Sequence, residues 1–188
     1  MASTASGTVI EIIAHRGFSA QAPENTLAAV RAALVAGADA VEWDMHVAAC
    51  GTPVLFHDDT LDRTTDGSGA VADQTFKSLR ERDAGSWFDD AFAGERIPSF
   101  VEALEETRPF GVTVYPEVKG LAGPEDLDGM ARTATDMGMA DRTVFISLDF
   151  DAVERLSRRH PRVGYVVARA ADVPEALDRA SRLDPPAL

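Results

Sequence analysis

The stretch TLAAVRAALVAGADAVEWDMH, residues 26–46, decides the fold because it joins a helical pattern directly to a strand pattern. Residues 26–36 are rich in alanine and leucine at helical spacing, and Asn25 is the expected N-terminal cap of this helix. Residues 39–46 then place successive side chains on opposite faces, as a β-strand does. A helix that leads into such a strand predicts a parallel βα architecture.

The same alternation continues in both directions from this stretch. Short apolar runs rich in β-branched residues are separated by longer segments with helical periodicity. The pattern predicts six strands, near residues 9–14, 39–46, 53–57, 111–119, 142–147 and 162–167. It predicts further helices at residues 99–107, 125–137, 150–159 and 173–182.

The chain length favours a single domain. A sequence of 188 residues with 45% hydrophobic content can bury one sizeable core. We expect a flexible N-terminus at residues 1–8 and one domain over residues 9–188. Residues 58–98 interrupt the alternation, and a polar segment of this length with an aromatic cluster predicts an ordered insertion near the functional site.

Composition excludes several function classes. Eighteen basic and thirty-one acidic residues give a net charge of -13, which argues against a nucleic-acid binder and against a surface built for anionic lipids. The single cysteine, Cys50, cannot form an internal disulfide, which fits a reducing compartment. The N-terminus lacks a basic segment and Glu11 breaks the first apolar run, so we expect no signal peptide, no stable membrane insertion and a cytoplasmic location.

Polar residues that carry chemistry lie at the ends of the first two strands. His15 and Arg16 follow the first apolar run, at the end of the strand where βα barrels build their sites. Glu42 and Asp44 share one face of the second strand. Two carboxylates this close suit a hard cation such as Ca²⁺, Mg²⁺ or Mn²⁺, although an exposed face of an antiparallel strand would explain them as well.

The third and fourth strands add residues of the same kinds. His57 ends the third apolar run, and Glu117 and Lys119 share one face of the fourth strand. This last pair could also be a purely structural ion pair, because buried charges require partners. Taken together, the four strand ends supply positively charged side chains, carboxylates and imidazoles, a combination that suits phosphoryl transfer.

In order and spacing, these residues resemble the glycerophosphodiester phosphodiesterase family over roughly residues 9–167. The resemblance implies a TIM-barrel (β/α)8-like fold and hydrolysis of a small-molecule glycerophosphodiester to sn-glycerol 3-phosphate and an alcohol. The motifs that carry it are HRG (15–17), PENT (23–26), EWD (42–44), HDDTLDRTTDG (57–67), GSWF (85–88), IPSF (97–100) and PEVKG (116–120).

The resemblance also implies a role for each site residue. One divalent cation, Ca²⁺, Mg²⁺ or Mn²⁺, is expected together with an acid/base pair that assists attack of the substrate's own 2-hydroxyl on phosphorus. Water then opens the resulting cyclic phosphate, and which imidazole acts as base stays open. The implied metal ligands are Glu42, Asp44 and Glu117, the acid/base pair is His15 and His57, and the phosphate-binding residues are Arg16 and Lys119.

Two neighbouring residues receive supporting roles. His46 lies on the ligand face, but three carboxylates and water already satisfy a hard cation, so we interpret it as a hydrogen-bonding neighbour. Glu24 is interpreted either as a helix-start residue or as a support for Arg16.

The chain departs from the family in length. A full barrel typically takes about 250 residues, whereas the pattern here predicts about six βα units, with the insertion after the third strand. The expected barrel is therefore truncated, and its open edges would allow oligomers to form. Two alternatives remain: a phospholipase-D-like lyase that forms cyclic phosphates from lysophospholipids, and a non-catalytic fragment or partner-binding half barrel.

Overall fold

The computed structural model describes residues 10–183, so the expected flexible segment at residues 1–8 lies outside the described residues. The strands are β1 Ile13–Ala14, β2 Ala40–Val47, β3 Pro53–Leu55, β4 Thr113–Val118, β5 Phe145–Ser147 and β6 Val163–Tyr165. The helices are α1 Leu27–Ala36, α2 Phe76–Leu79, α3 Phe100–Thr107, α4 Glu125–Asp136, α5 Phe150–Ser157 and α6 Val173–Ala180.

Five of these strands form an open parallel sheet in the order β1-β2-β4-β5-β6. The long central contact is between β2 and β4, where Asp44 lies opposite Glu117. Helices alternate with these strands, as the sequence pattern predicted. The carboxyl ends of the parallel strands therefore meet at one edge of the sheet, where the candidate site residues lie.

The third strand corrects the parallel prediction. β3 pairs with β2 in the antiparallel direction, with His46 opposite Val54, and it lies off the main strand order. Only residues 48–52 connect the two strands, and a parallel connection needs a crossover of about a dozen residues or more. The short link can make only a hairpin, so β3 folds back along β2 and places His57 at the site from the opposite chain direction.

The main core lies between the sheet and its helices. All eight residues of β2 are buried, and its apolar face carries Trp43 and Met45 into this core. Phe100 of α3 and Phe145 of β5 pack there as well, with their ring centroids 5.9 Å apart. A strand buried on both faces can hold charged residues only where they find partners. Glu42 and Asp44, on the other face of β2, therefore need such partners.

The start of α1 differs from the expected cap. Thr26, and not Asn25, is the N-cap, because its hydroxyl accepts a hydrogen bond of 3.2 Å from the backbone N–H of Ala29. Asn25 instead adopts a left-handed conformation with φ of 57°. Its side chain therefore does not cap α1 and instead donates a hydrogen bond to Asp44.

Residues 58–98 form an ordered segment that shares a second, small hydrophobic core with β3 and its neighbours. The segment contains α2, and its apolar side chains pack beneath β3. Its treatment as an insertion into a domain spanning residues 9–188 stays a prediction. The buried residues of the second core are Ala48, Val54, Phe56, Leu61, Val71, Leu79, Ala84 and Ile97.

Among residues 10–183, β1 is the end strand of the sheet order, and the segment just before it is apolar and exposed. Ile10 and Ile12 are 80% and 64% exposed, beside a groove of about 330 Å³ between β1 and α1.

Within residues 10–183, the helices are too short or too polar to cross a bilayer.

Gly17 supports a testable statement about the turn after β1. Its φ is +75°, and an added Cβ would lie 2.6 Å from the carbonyl carbon of Ala29. We expect Gly17→Ala to lower the free energy of unfolding by about 2–4 kcal/mol, through backbone strain and overpacking. In α4, Gly129 has open space around it, so Gly129→Ala should stabilise by about 0.5–1 kcal/mol. Urea unfolding measures both, and equal effects of the two changes would contradict the prediction.

Candidate active site

Three buried carboxylates converge on one face of the sheet. Glu42 and Asp44 come from β2 and Glu117 from β4, and one oxygen of each lies within 4.8 Å of the others. Their exposed fractions are 5%, 0% and 8%. An exposed strand face therefore does not explain this pair of acidic residues on β2.

The three carboxylates lie close together and are only partly supplied with hydrogen-bond donors. Among residues 10–183, no hydrogen-bond donor reaches the buried Oε1 of Glu42. The buried Oδ1 of Asp44 and Oε1 of Glu117 have the ammonium of Lys119 beside them, at 3.4 and 2.9 Å. Burial, together with the charges of Asp44 and Glu117, raises the pKa of Glu42 to about 8. Three buried carboxylates that converge on one point, with one oxygen left without a donor, fit a divalent cation with hard ligands.

Lys119 lies beside this cluster. Its Nζ is 2.9 Å from Oε1 of Glu117 and 3.4 Å from Oδ1 of Asp44. Burial opposes the charge of Lys119, but Glu117 and Asp44 outweigh it and raise the pKa of the ammonium. The predicted pair of Lys119 and Glu117 therefore exists, and it extends to a second carboxylate.

Arg16 meets the cluster from the turn after β1. Its backbone N–H donates to Oε2 of Glu42 at 2.7 Å, and its Nε lies 3.1 Å from Oδ2 of Asp44. Nη1 donates to Glu24 at 2.9 Å, which agrees with the expected support for Arg16. The residue has a positive φ of 57°, and this turn brings both its backbone and its side chain to the carboxylates.

The two histidines of the predicted acid/base pair have different partners. The side chain of His15 is 67% exposed, and its Nε2 lies 3.9 Å from Oε2 of Glu42. Nδ1 of His57 pairs with the carboxylate of Asp58. An ionised carboxylate only accepts hydrogen bonds, so neutral His57 carries its proton on Nδ1 and leaves Nε2 free to accept one.

His46 has the supporting position expected of it. Its Nε2 is 3.1 Å from the backbone carbonyl oxygen of His57. A side chain at Gly120 would overlap its ring, so glycine there lets the β4 loop close over His46. His46 therefore holds the His57 backbone and is not part of the carboxylate cluster.

Two residues without a catalytic or binding role in the sequence analysis also contact the site. Asn25 exchanges two hydrogen bonds with Asp44: its Nδ2 donates to Oδ2, and its Oδ1 accepts from the backbone N–H, both at 3.0 Å. Arg63 donates to both Glu24 and Asp58. In the sequence, only the position of Asn25 in the PENT motif and of Arg63 in the HDDTLDR motif indicated that these residues serve the site. Their partners are distant in the sequence, so spacing alone could not reveal the contacts.

Comparison with known proteins consistently indicates one family. A family model for the glycerophosphoryl diester phosphodiesterase family matches residues 15–182. The mouse protein glycerophosphodiester phosphodiesterase 1 is 47% identical over 115 residues, which is 60% of this chain. A glycerophosphodiester phosphodiesterase from Caldanaerobacter subterraneus is 48% identical over 94 residues.

Solved structures match as well. A glycerophosphodiester phosphodiesterase from Agrobacterium tumefaciens superposes with a TM-score of 0.76 at 35% identity, covering 85% of this chain and 67% of that one. A phosphodiesterase from Oleispira antarctica, in complex with the product sn-glycerol-3-phosphate, has a TM-score of 0.75 at 31% identity and covers 92% and 73%. These similarities confirm the expected TIM-barrel-like α/β fold. The matched region spans only 35% of the mouse relative and 39% of the Caldanaerobacter relative.

Proposed function

This chain belongs to the glycerophosphoryl diester phosphodiesterase family, and we propose that it hydrolyses glycerophosphodiesters to sn-glycerol 3-phosphate and an alcohol with one divalent cation. The observation that carries the proposal is the buried cluster of Glu42, Asp44 and Glu117, one oxygen of each lying within 4.8 Å of the others. The Oleispira relative, solved with sn-glycerol-3-phosphate, supports the product.

The three carboxylates would hold the cation, which would be Ca²⁺, Mg²⁺ or Mn²⁺. Bound there, it supplies positive charge that offsets the charge of a phosphodiester and of its transition state. The donor set is all oxygen, which these hard ions prefer over softer metals.

Arg16 and Lys119 would bind the phosphate oxygens. Both side chains reach the carboxylate cluster, and both are positive in a chain whose net charge is -13. Local positive charge is what a negatively charged protein needs in order to accept an anionic substrate. Arg16 would donate to a phosphate oxygen from the part of its guanidinium that does not face Asp44 or Glu24, whereas Lys119 offers a compact charge.

His57 and His15 would exchange the protons. In neutral His57 the bond to Asp58 leaves Nε2 unprotonated, so it can take a proton from the attacking hydroxyl of the substrate or, as imidazolium, give one to the leaving oxygen. His15, exposed at 67%, would serve the other oxygen. In the cyclic route, the 2-hydroxyl oxygen bonds to phosphorus as the alcohol leaves, and water then opens the ring.

The test is to incubate the chain with glycerophosphocholine and each of Ca²⁺, Mg²⁺ and Mn²⁺, and to follow the products by phosphorus NMR. We expect sn-glycerol 3-phosphate to form with at least one cation and not in excess chelator. Accumulation of a cyclic phosphate would indicate the lyase instead. No turnover with any of these cations or with a panel of other glycerophosphodiesters would contradict the proposal.

The cellular setting belongs to the same proposal. A cytoplasmic location fits the exposed, unpaired Cys50. Self-association would use β1 together with Ile10 and Ile12, the exposed apolar residues that precede this strand.

A further inference from the structure

A single guanidinium, that of Arg63, touches two carboxylates from separate loops. It donates to Oδ2 and Oδ1 of Asp58 at 2.6 and 3.0 Å. It also donates to Oε1 and Oε2 of Glu24 at 2.7 and 3.0 Å. Glu24 lies in the loop after β1, whereas Asp58 follows β3, so Arg63 joins two segments that are distant in sequence.

Each of these carboxylates holds a residue of the proposed chemistry. Asp58 accepts from Nδ1 of His57, and Glu24 accepts from Nη1 of Arg16 at 2.9 Å. The contacts therefore run without a break from His57 through Asp58, Arg63 and Glu24 to Arg16.

The electrostatics of this chain of contacts agree with its geometry. Arg63 is the largest influence on Asp58 and lowers the pKa of that carboxyl to about 2. Burial favours the neutral form of Glu24, but Arg63 and Arg16 outweigh it and lower its pKa below the usual value. Both carboxylates thus stay ionised and accept hydrogen bonds only, which keeps the Nδ1 proton of His57 in place.

Resting on the proposed function, we propose that Arg63 is a positioning residue that fixes the tautomer of His57 through Asp58 and the direction of Arg16 through Glu24. It holds the proton-transfer group and the phosphate-binding group in one geometry. Supporting residues of this kind typically contribute about 10- to 100-fold to affinity or activity at metal sites.

The test compares Arg63→Gln with Arg63→Lys, because lysine keeps the charge but lacks the planar fork that holds two carboxylates at once. Arg155→Gln is the matched control. Like Arg63, Arg155 donates to a carboxylate through two nitrogens, here to Asp128 at 3.3 and 2.8 Å. This pair joins α5 to α4 and lies outside the site. Two readouts are used: kcat and KM for glycerophosphocholine, and the imidazole tautomers from nitrogen-proton NMR, with His57→Asn identifying the His57 signals.

We expect kcat to fall about 10- to 100-fold in Arg63→Gln and less in Arg63→Lys, with little change in Arg155→Gln. The His57 signal should change from the Nδ1–H form to a mixture of tautomers in Arg63→Gln. An unchanged tautomer together with an unchanged kcat would overturn the proposal. So would loss of folding in both Arg63 variants while Arg155→Gln folds, because Arg63 would then be purely structural.

The NMR readout also separates the two proposals. If the parent chain hydrolyses none of the diesters, the proposed function fails. The tautomer of His57 would still be fixed or released by Arg63, and that result alone would decide the positioning role.

Discussion

Replacing Glu42 with glutamine is expected to lower kcat/KM about 1,000-fold and yet to stabilise the cation-free protein. The loss of activity follows because several kcal/mol of transition-state stabilisation is lost when the cation is no longer held. The gain in stability follows because Glu42 is buried beside Asp44 and Glu117, which raise its pKa to about 8 together with its burial. Removing that charge should add about 1–3 kcal/mol to the free energy of unfolding, measured at a pH at which Glu42 is ionised in the parent protein.

Urea unfolding in chelator at a pH above the Glu42 pKa measures the stability, and the rise of Tm on adding Ca²⁺, Mg²⁺ or Mn²⁺ measures cation binding. Glutamine can still accept the bond from the Arg16 backbone, so the turn after β1 should persist. Glu106→Gln is the matched control, since Glu106 pairs with Arg31 on the helical layer. A Glu42→Gln protein that keeps the full cation-induced rise of Tm would exclude Glu42 as a ligand.

Replacing His57 with asparagine is expected to lower kcat about 100- to 10,000-fold, the usual contribution of a general acid or base. The cation-induced rise of Tm should stay, because His57 is not part of the carboxylate cluster. The two variants therefore separate proton transfer from cation binding. Steady-state kinetics and thermal unfolding of the same preparations provide both measurements.

His160 supplies a histidine control for this experiment. It is buried, its Nε2 contacts the carbonyl oxygen of Thr143 at 2.8 Å, and its ring packs against Phe145. His160→Asn should lower stability and leave kcat unchanged at temperatures below its Tm. Equal losses of kcat in both histidine variants would mean that the effect of His57→Asn is one of folding.

Much of the fold was predictable because its signals are local. The positions of the strands and long helices follow from periodicity, and the ends of helices differ by a residue or two. The direction of β3 was wrong in the prediction, although residues 48–52 are too short for a crossover and held that information. The cap at Asn25 was also wrong, because Thr26 takes that position and Asn25 bonds to Asp44.

Sequence by itself determined which residue types stand at the strand ends. The period of two along a strand places Glu42 with Asp44, and Glu117 with Lys119, without any knowledge of the sheet order. The tertiary structure decided that β2 and β4 are neighbours, which buries all three carboxylates and brings one oxygen of each within 4.8 Å of the others. It alone decided that Arg63 joins Glu24 to Asp58, because contacts between distant loops depend on chain packing and leave no periodic trace in a single sequence.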